Sequence, residues 1–447
     1  MKKVLLGVLV TLALLVGVAS VAGYPPSYLI SAPSVATGIG SKLLCSARYV
    51  SGFSEQQSLD DLVQYSGILQ ELTVEYDEAQ KTVTTSLFGL SEKTANYLPN
   101  IGCAIDYSGF PQRASIVTEA PATSDAMWPA GNSVLAADPA LQGLLERLLK
   151  LDNEAGLNTR ALLIAHRGSV VAEAYGQGAH ATTPLLGWSM AKSLTAIMLA
   201  NLEYRGLLSL ADAPDFEPWQ EDARSQIRIT DLLTMTDGLA FSEEYNPGDD
   251  ATAMLFTEPS ASDFVMKKER VHEPGRRFNY SSGTANLLAR VYLDTVGDHQ
   301  KNYDDYVAHI YRPLGFQNAV FEVDASGVFM GSSYLYASAR DWARIGQLML
   351  NKGVINGQRV LREDWVDRAT TPNLSANQKA YGYQWWLNRG NEELRWADIP
   401  DDAFSAQGNR QQYLMVVPSL DLIIVRLGWT AGVYPVNDRV AEIISSL

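Results

Sequence analysis

Gly187-Trp188-Ser189-Met190-Ala191-Lys192-Ser193-Leu194-Thr195-Ala196 holds the one Ser-x-x-Lys of this 447-residue chain. Met190, Leu194, Ile197, Met198 and Leu202 spread apolar side chains nearly all the way round the helix this stretch opens, so the helix is expected to be buried. Residues three apart lie on one helix face, about 5 to 6 Å apart at Cβ, which brings Lys192 within reach of the Ser189 hydroxyl. A buried lysine is costly to keep charged, and desolvation lowers its pKa toward a value useful for accepting a proton. A serine at a helix start also has backbone amides nearby to bind a developing oxyanion. Four letters of this kind also arise by chance, so the apolar surroundings carry the weight. A second reading is a nucleophile elbow, because Gly187-x-Ser189-x-Ala191 is one residue from G-x-S-x-G. That arrangement needs a downstream histidine, and only His272, His299 and His309 follow Ser189, none of them in the C-terminal stretch.

Working outward, residues 161–166 and 170–175 are apolar β-formers flanking Arg167-Gly168-Ser169, which predicts a hairpin. Residues 413–417 and 422–427 flank Pro418-Ser419-Leu420-Asp421 and predict a second. Between them the patterns are helical: residues 230–235 ended by Gly238, residues 282–295, and residues 339–352. Asp138-Pro139 starts an earlier helix with Leu141, Leu144, Leu145, Leu148 and Leu149 on one face, and a last helix begins near Val436. Strands at both ends with helices between them predict an α+β fold. One antiparallel sheet, built from both chain ends, is flanked by helices and accompanied by a mainly helical part.

The N-terminal part reads differently. Lys2 and Lys3 precede an apolar run over residues 4–18, and Ser20-Val21-Ala22 offers a small-x-small cleavage site. Residues 1–22 are therefore expected to be a signal peptide or a membrane anchor, and either puts the body outside the cytoplasm, periplasmic or extracellular. Residues 23–125 form an extension with a polar start rich in Pro and Ser and a strand pair at 72–76 and 81–88 turned by 77–80. Its Cys45 and Cys103, the only cysteines, are expected to pair in an oxidising compartment, the alternative being two buried thiols. Pro, Ser, Asp and Gly residues over 121–131 mark the boundary, and residues 126–447 are the main domain.

A length of 447 residues leaves ample material for a buried site, and 47% apolar with 19% charged residues fits a globular chain. The net charge of -15 argues against nucleic acid or an anionic membrane surface as partner, since both demand a basic face. Two cysteines make no zinc site. Small neutral or amphiphilic substrates remain open.

Over residues 127–447 the chain resembles the serine β-lactamase and penicillin-binding superfamily, in its class C and esterase branch, with proteins of the 6-aminohexanoate-dimer hydrolase type. The residues that carry this are Ser189-Met190-Ala191-Lys192, Leu232-Leu233-Thr234-Met235-Thr236-Asp237-Gly238-Leu239, Glu273-Pro274-Gly275-Arg276-Arg277-Phe278-Asn279-Tyr280-Ser281-Ser282, and Tyr381-Gly382-Tyr383-Gln384-Trp385-Trp386. The resemblance implies a β-lactamase-like serine hydrolase that cleaves a small-molecule ester or amide through an acyl-enzyme at Ser189, without metal or organic cofactor. It makes Tyr280, from a Y-x-N or Y-x-S motif, a proton relay that serves as general base for Ser189 and acid for the leaving group. Ser282 then orients Lys192 or bonds substrate. It aligns the third motif with Ala406-Gln407-Gly408-Asn409, so that Gly408 permits close approach and the amides of Ser189 and Asn409 form the oxyanion hole. Ala406 stands where a cation is usual, which favours an esterase or amidase over an efficient β-lactamase. Arg410 is a candidate for a charge nearby, and Tyr245, with Asp249 and Asp250 in the same stretch, for the cleft border. The altered third motif also leaves open a slow or non-catalytic penicillin-binding sensor. Oligomeric state and natural substrate are not legible.

Overall fold

A computed structural model describes residues 26–120 and 122–447, so the expected export segment lies outside the described residues. Among the described residues no helix is long and apolar enough to cross a membrane.

The described chain begins with a 24-residue helix, α1 (Pro26–Tyr49), where the composition had pointed to an irregular polar start. Helix α2 (Glu55–Leu62) follows, capped by the Ser54 side chain. Then come β1 (Thr73–Asp77), β2 (Thr82–Leu87), β3 (Ser91–Leu98) and β4 (Gly102–Ile105), an antiparallel sheet in sequence order. The expected strand pair is β1 and β2. Cys45 on α1 and Cys103 on β4 form the disulfide, with Cα atoms 6.1 Å apart.

The main body is the α+β arrangement expected. Helix α3 (Pro139–Glu154) starts on an Asp138 cap that accepts from the Ala140 and Leu141 amides. The hairpin β5 (Thr159–His166) and β6 (Ser169–Tyr175) turns through Arg167 and Gly168, both at positive φ as a two-residue hairpin demands. The other hairpin strands are β8 (Phe404–Gly408), β9 (Gln412–Val417) and β10 (Leu422–Gly428), edged by the short β7 (Trp386–Leu387). The six strands run in the order β7-β8-β9-β10-β5-β6, all antiparallel, with β10 against β5 joining the two chain ends.

Alternation along these strands sends side chains to two faces. Leu162, Ile164, Met415, Val417, Leu422 and Ile424 meet Leu141, Leu144, Leu145 and Leu148 of α3 and Val440 and Ile443 of the last helix, Val436–Ile444. The opposite face, with Leu163, Leu414, Val416, Ile423 and Val425, covers the larger core with Met190, Leu194, Ile197 and Ile345. Leu44, Cys45, Leu62, Val83 and Cys103 belong to that same cluster, so the N-terminal segment packs on the main body rather than hanging from it. Polar bolts reinforce the seam: Arg160 of β5 donates to Asp61 of α2 at 2.7 Å, and the buried Lys42 of α1 pairs with Glu322.

Candidate active site

The candidate site lies where the buried helix α4 (Ala191–Tyr204) begins. The chain reaches it through Gly187 and a tight turn over Trp188–Met190, in which Trp188 takes a left-handed φ of 47°. A bulky residue there is strained by roughly 1 to 3 kcal/mol, which surrounding structure must hold. Packing supplies the restraint: the Trp188 ring lies 6.0 Å from Tyr334, 6.2 Å from Tyr65 and 6.4 Å from Trp429, centroid to centroid.

Ser189 and Lys192 meet as their spacing predicts. Lys192 Nζ donates to Ser189 Oγ at 2.9 Å, to Ser282 Oγ at 3.0 Å and to the Ser332 carbonyl at 3.1 Å, which uses all three ammonium donors. The Ser332 carbonyl is aimed by Asn286, which accepts from the Ser332 amide and donates to its hydroxyl. Lys192 is 1% exposed, and burial lowers its pKa to about 8, against the opposing field of Glu243. An amine in that range exchanges its proton near neutrality.

Tyr280 sits beside this pair, its ring centroid 4.9 Å from Lys192 Nζ. It stacks on Trp386 at 5.2 Å and meets Tyr381 edge-on at 6.0 Å. Burial and the Glu243 carboxylate push the phenol well above its ordinary pKa, while the Ser189 hydroxyl works weakly the other way. Burial and Glu243 both favour the protonated phenol, because the negative charge of a phenolate would face Glu243 in a desolvated place.

Ser282 opens helix α5 (Ser282–Val296), whose cap, Ser281, accepts from the Thr284 amide. Its hydroxyl accepts from Lys192 and donates to Glu243 Oε1 at 2.5 Å, while its amide donates to Glu243 Oε2 at 2.6 Å. Ser282 is fully buried, and its hydroxyl links Lys192 to Glu243. Asp237, in the Thr-Asp-Gly run, is buried as well. It accepts from Thr284 Oγ1 and the Leu239 amide, and so fixes the start of α5 from behind.

Glu243 is the site residue that sequence reasoning missed. Two positions before Tyr245 in a polar stretch, it has the signature of a solvated loop carboxylate. In the structure it accepts from Ser282 twice and from the Tyr245 hydroxyl at 2.9 Å. The Tyr245 ring itself is 46% exposed at the border of the site. Asp249 and Asp250, also singled out, lie aside: Asp249 accepts from Tyr28 at 2.7 Å, and Asp250 accepts from Lys268 at 2.5 Å. Of the aromatics, Tyr381 and Trp385 are core, and Trp386 is the one stacked on Tyr280.

The third motif lies at the end of β8. A Cβ on Gly408 would sit 2.0 Å from the Gly187 carbonyl oxygen, so only glycine lets this strand lie against the Ser189 turn. Asn409 follows, exposed beside that turn. Ala406, paired with Leu414, is in the core and supplies no charge. Arg410, the candidate for a charge nearby, is folded inward. It is 9% exposed, and its guanidinium lies 3.9 Å from the Tyr65 ring centroid, spent on packing the N-terminal segment. Among the described residues no cluster of His, Cys, Asp or Glu could hold a metal ion.

Comparison with known proteins bears on the fold and the family. A curated relative, the 6-aminohexanoate-dimer hydrolase of Paenarthrobacter ureafaciens, is 24% identical over 296 residues, covering 60% of this chain and 72% of that one. Among solved structures, EstCE1, a hydrolase with promiscuous acyltransferase activity, superposes with a TM-score of 0.57 at 14% identity over 69% of this chain and 98% of its own. The penicillin binding protein from Bacillus halodurans does so with a TM-score of 0.52 at 16% identity over 67% of this chain and all of its own. These likenesses concern the fold. The beta-lactamase family model matches residues 141–441, and the chain belongs to that family of hydrolases.

Proposed function

We propose that this chain is a serine hydrolase that cleaves an ester or amide bond through an acyl-enzyme on Ser189. The observation that carries the reading is Lys192, desolvated to a pKa of about 8, 2.9 Å from the Ser189 hydroxyl and with no carboxylate in direct contact. Neutral Lys192 takes the Ser189 proton as Oγ attacks the carbonyl carbon. The oxyanion that forms is held by the amides of Ser189 and Asn409, as the family resemblance implies. The Tyr280 phenol gives its proton to the departing alcohol or amine and regains one from the Lys192 ammonium, so the two residues together carry one proton across. Water then repeats the sequence on the acyl-enzyme and frees the acid.

Relatedness to a 6-aminohexanoate-dimer hydrolase and structural likeness to an acyl-transferring hydrolase support small linear amides and esters as substrates. Ala406, which leaves no cation on β8, weighs against penicillins as good substrates. The disulfide supports action in an oxidising compartment, in keeping with export.

The test is to treat the protein with a fluorophosphonate and a fluorescent penicillin beside Ser189→Ala, then to screen p-nitrophenyl esters and linear amides. Labelling and turnover lost in Ser189→Ala are expected. Equal labelling in the variant sinks the assignment of the nucleophile, and stable labelling without turnover marks a sensor instead.

A further inference from the structure

Tyr65 belongs to the N-terminal segment, outside the residues that match the family model, yet it touches a side chain next in sequence to each half of the proposed oxyanion hole. It follows α2, where its amide donates to the Leu62 carbonyl at 3.1 Å. Its ring meets Trp188 edge-on at 6.2 Å and Trp429 edge-on at 5.8 Å, and the Arg410 guanidinium covers it at 3.9 Å. Trp188 immediately precedes Ser189, and Arg410 immediately follows Asn409. The two amides assigned to the oxyanion are therefore each one residue from a side chain that grips Tyr65.

Both gripping residues share an unusual backbone. Trp188 has φ 47° and Arg410 φ 60°, in the left-handed region that large side chains seldom occupy. Gly408 lies on the Gly187 carbonyl between them, so the two strained turns abut. Strained turns persist where neighbours over-determine them, and a shared aromatic post does this for both at once. The post is itself anchored. Asp61 accepts from Arg160 of β5 and, through its carbonyl, from Trp429 Nε1 at 2.9 Å. The Tyr65 hydroxyl is buried beside the Arg410 and Trp188 side chains, near enough for both to act on it but without a well-formed hydrogen bond to either, so the ring does most of the holding.

We propose that Tyr65 is a positioning residue for acyl transfer, and that the N-terminal segment thereby serves as a working part of the active site. The inference rests on the reading of Ser189 and Asn409 as oxyanion donors. Since the oxyanion exists only in the transition state and the tetrahedral intermediates, displacing the donors lowers kcat and leaves KM nearly unchanged.

The experiment compares full-length, oxidised wild type, Tyr65→Ala, Tyr65→Leu and Tyr65→Phe, with active sites counted by fluorophosphonate. Measured are kcat and KM on a p-nitrophenyl ester, and inhibition by an alkylboronic acid, which forms a tetrahedral adduct on serine. Tyr65→Ala is expected to lose about 10- to 100-fold in kcat per active site, somewhat less than deleting one oxyanion donor, with boronate affinity falling in step. Tyr65→Phe keeps the ring and is expected to restore both. Should Tyr65→Ala fail to fold, Tyr65→Leu decides: it fills the space without an aromatic face for Arg410 and is expected to lose kcat. Wild-type kcat and boronate affinity in whichever of the two folds overturn the proposal. A wild type that neither labels at Ser189 nor turns over overturns the hydrolase reading first, and this inference with it.

Discussion

Lys42 and Lys192 occupy nearly the same surroundings to opposite ends. Each projects from a buried helix and is almost sealed from water, 2% and 1% exposed. Each donates to a serine one turn away on its own helix or the turn that opens it, Lys42 to Ser46 and Lys192 to Ser189, both at 2.9 Å. Each lies over a tyrosine, Lys42 over Tyr334 at 3.9 Å and Lys192 over Tyr280 at 4.9 Å. Burial lowers both pKa values, and a glutamate resists in both. The difference is where that glutamate stands. Glu322 touches Lys42 and also accepts from Ser46 at 2.9 Å, so the serine hydroxyl is spent on the carboxylate and the pair is a strut. Glu243 stays one hydroxyl away from Lys192, behind Ser282, which keeps the carboxylate off the Ser189 oxygen. Burial makes a lysine titrate lower, and the distance to its carboxylate decides whether the proton can leave.

Replacing each lysine by methionine separates strut from base. Lys192→Met is expected to lose about 10⁴-fold in kcat/KM on an ester substrate, close to 5.5 kcal/mol of transition-state stabilisation, with its thermal midpoint unchanged or raised. Retained turnover would remove Lys192 from the chemistry. Lys42→Met strands the Glu322 carboxylate in the core and is expected to cost about 3 to 5 kcal/mol in urea unfolding while kcat per active site holds. An unchanged unfolding midpoint would show the pair to be idle. Cys45→Ala with Cys103→Ala loosens the strut's scaffold by about 2 to 4 kcal/mol, read as a lower thermal midpoint. The smallest effect is the most diagnostic. Activity should rise with pH through about 8 as Lys192 loses its proton. Glu243 favours the charged amine, so Glu243→Gln should move this limb down by about one pH unit, whereas Glu322→Gln should leave its midpoint in place. A shift upward would reverse the sign assigned to Glu243.

What was legible in the residues follows the range of the physics involved. Ser189 with Lys192, the two hairpins and the disulfide partners depend on short spacings or on a count of two, and those survive in one dimension. Helix α1 was hidden by a start rich in Pro and Ser, Pro33 among them, and it carries small residues such as Gly38 and Gly40. They are small because Gly38 lies on the Phe256 carbonyl and Gly40 on Leu72 and Thr85, contacts to residues far along the chain. Glu243 and Arg410 escaped for a related reason. A carboxylate in a polar loop and an arginine in a turn look solvated until α5 and Tyr65, remote in sequence, are folded against them. The phenol of Tyr280 was placed by its motif, but its protonation depends on Glu243 and on burial, which a motif does not encode.

The joining of β10 to β5 gives the molecule a built-in order of events. A growing chain that has emerged as far as residue 400 already carries Ser189, Lys192 and Tyr280, yet the strand that lies on Gly187 has not been made. Until β8, β9 and β10 emerge, β5 also lacks its neighbour in the sheet. The nucleophile is thus synthesised early and its environment late, so an unfinished chain holds its reactive serine in an incomplete pocket. Its competence should appear in a single late step, when the last hairpins dock.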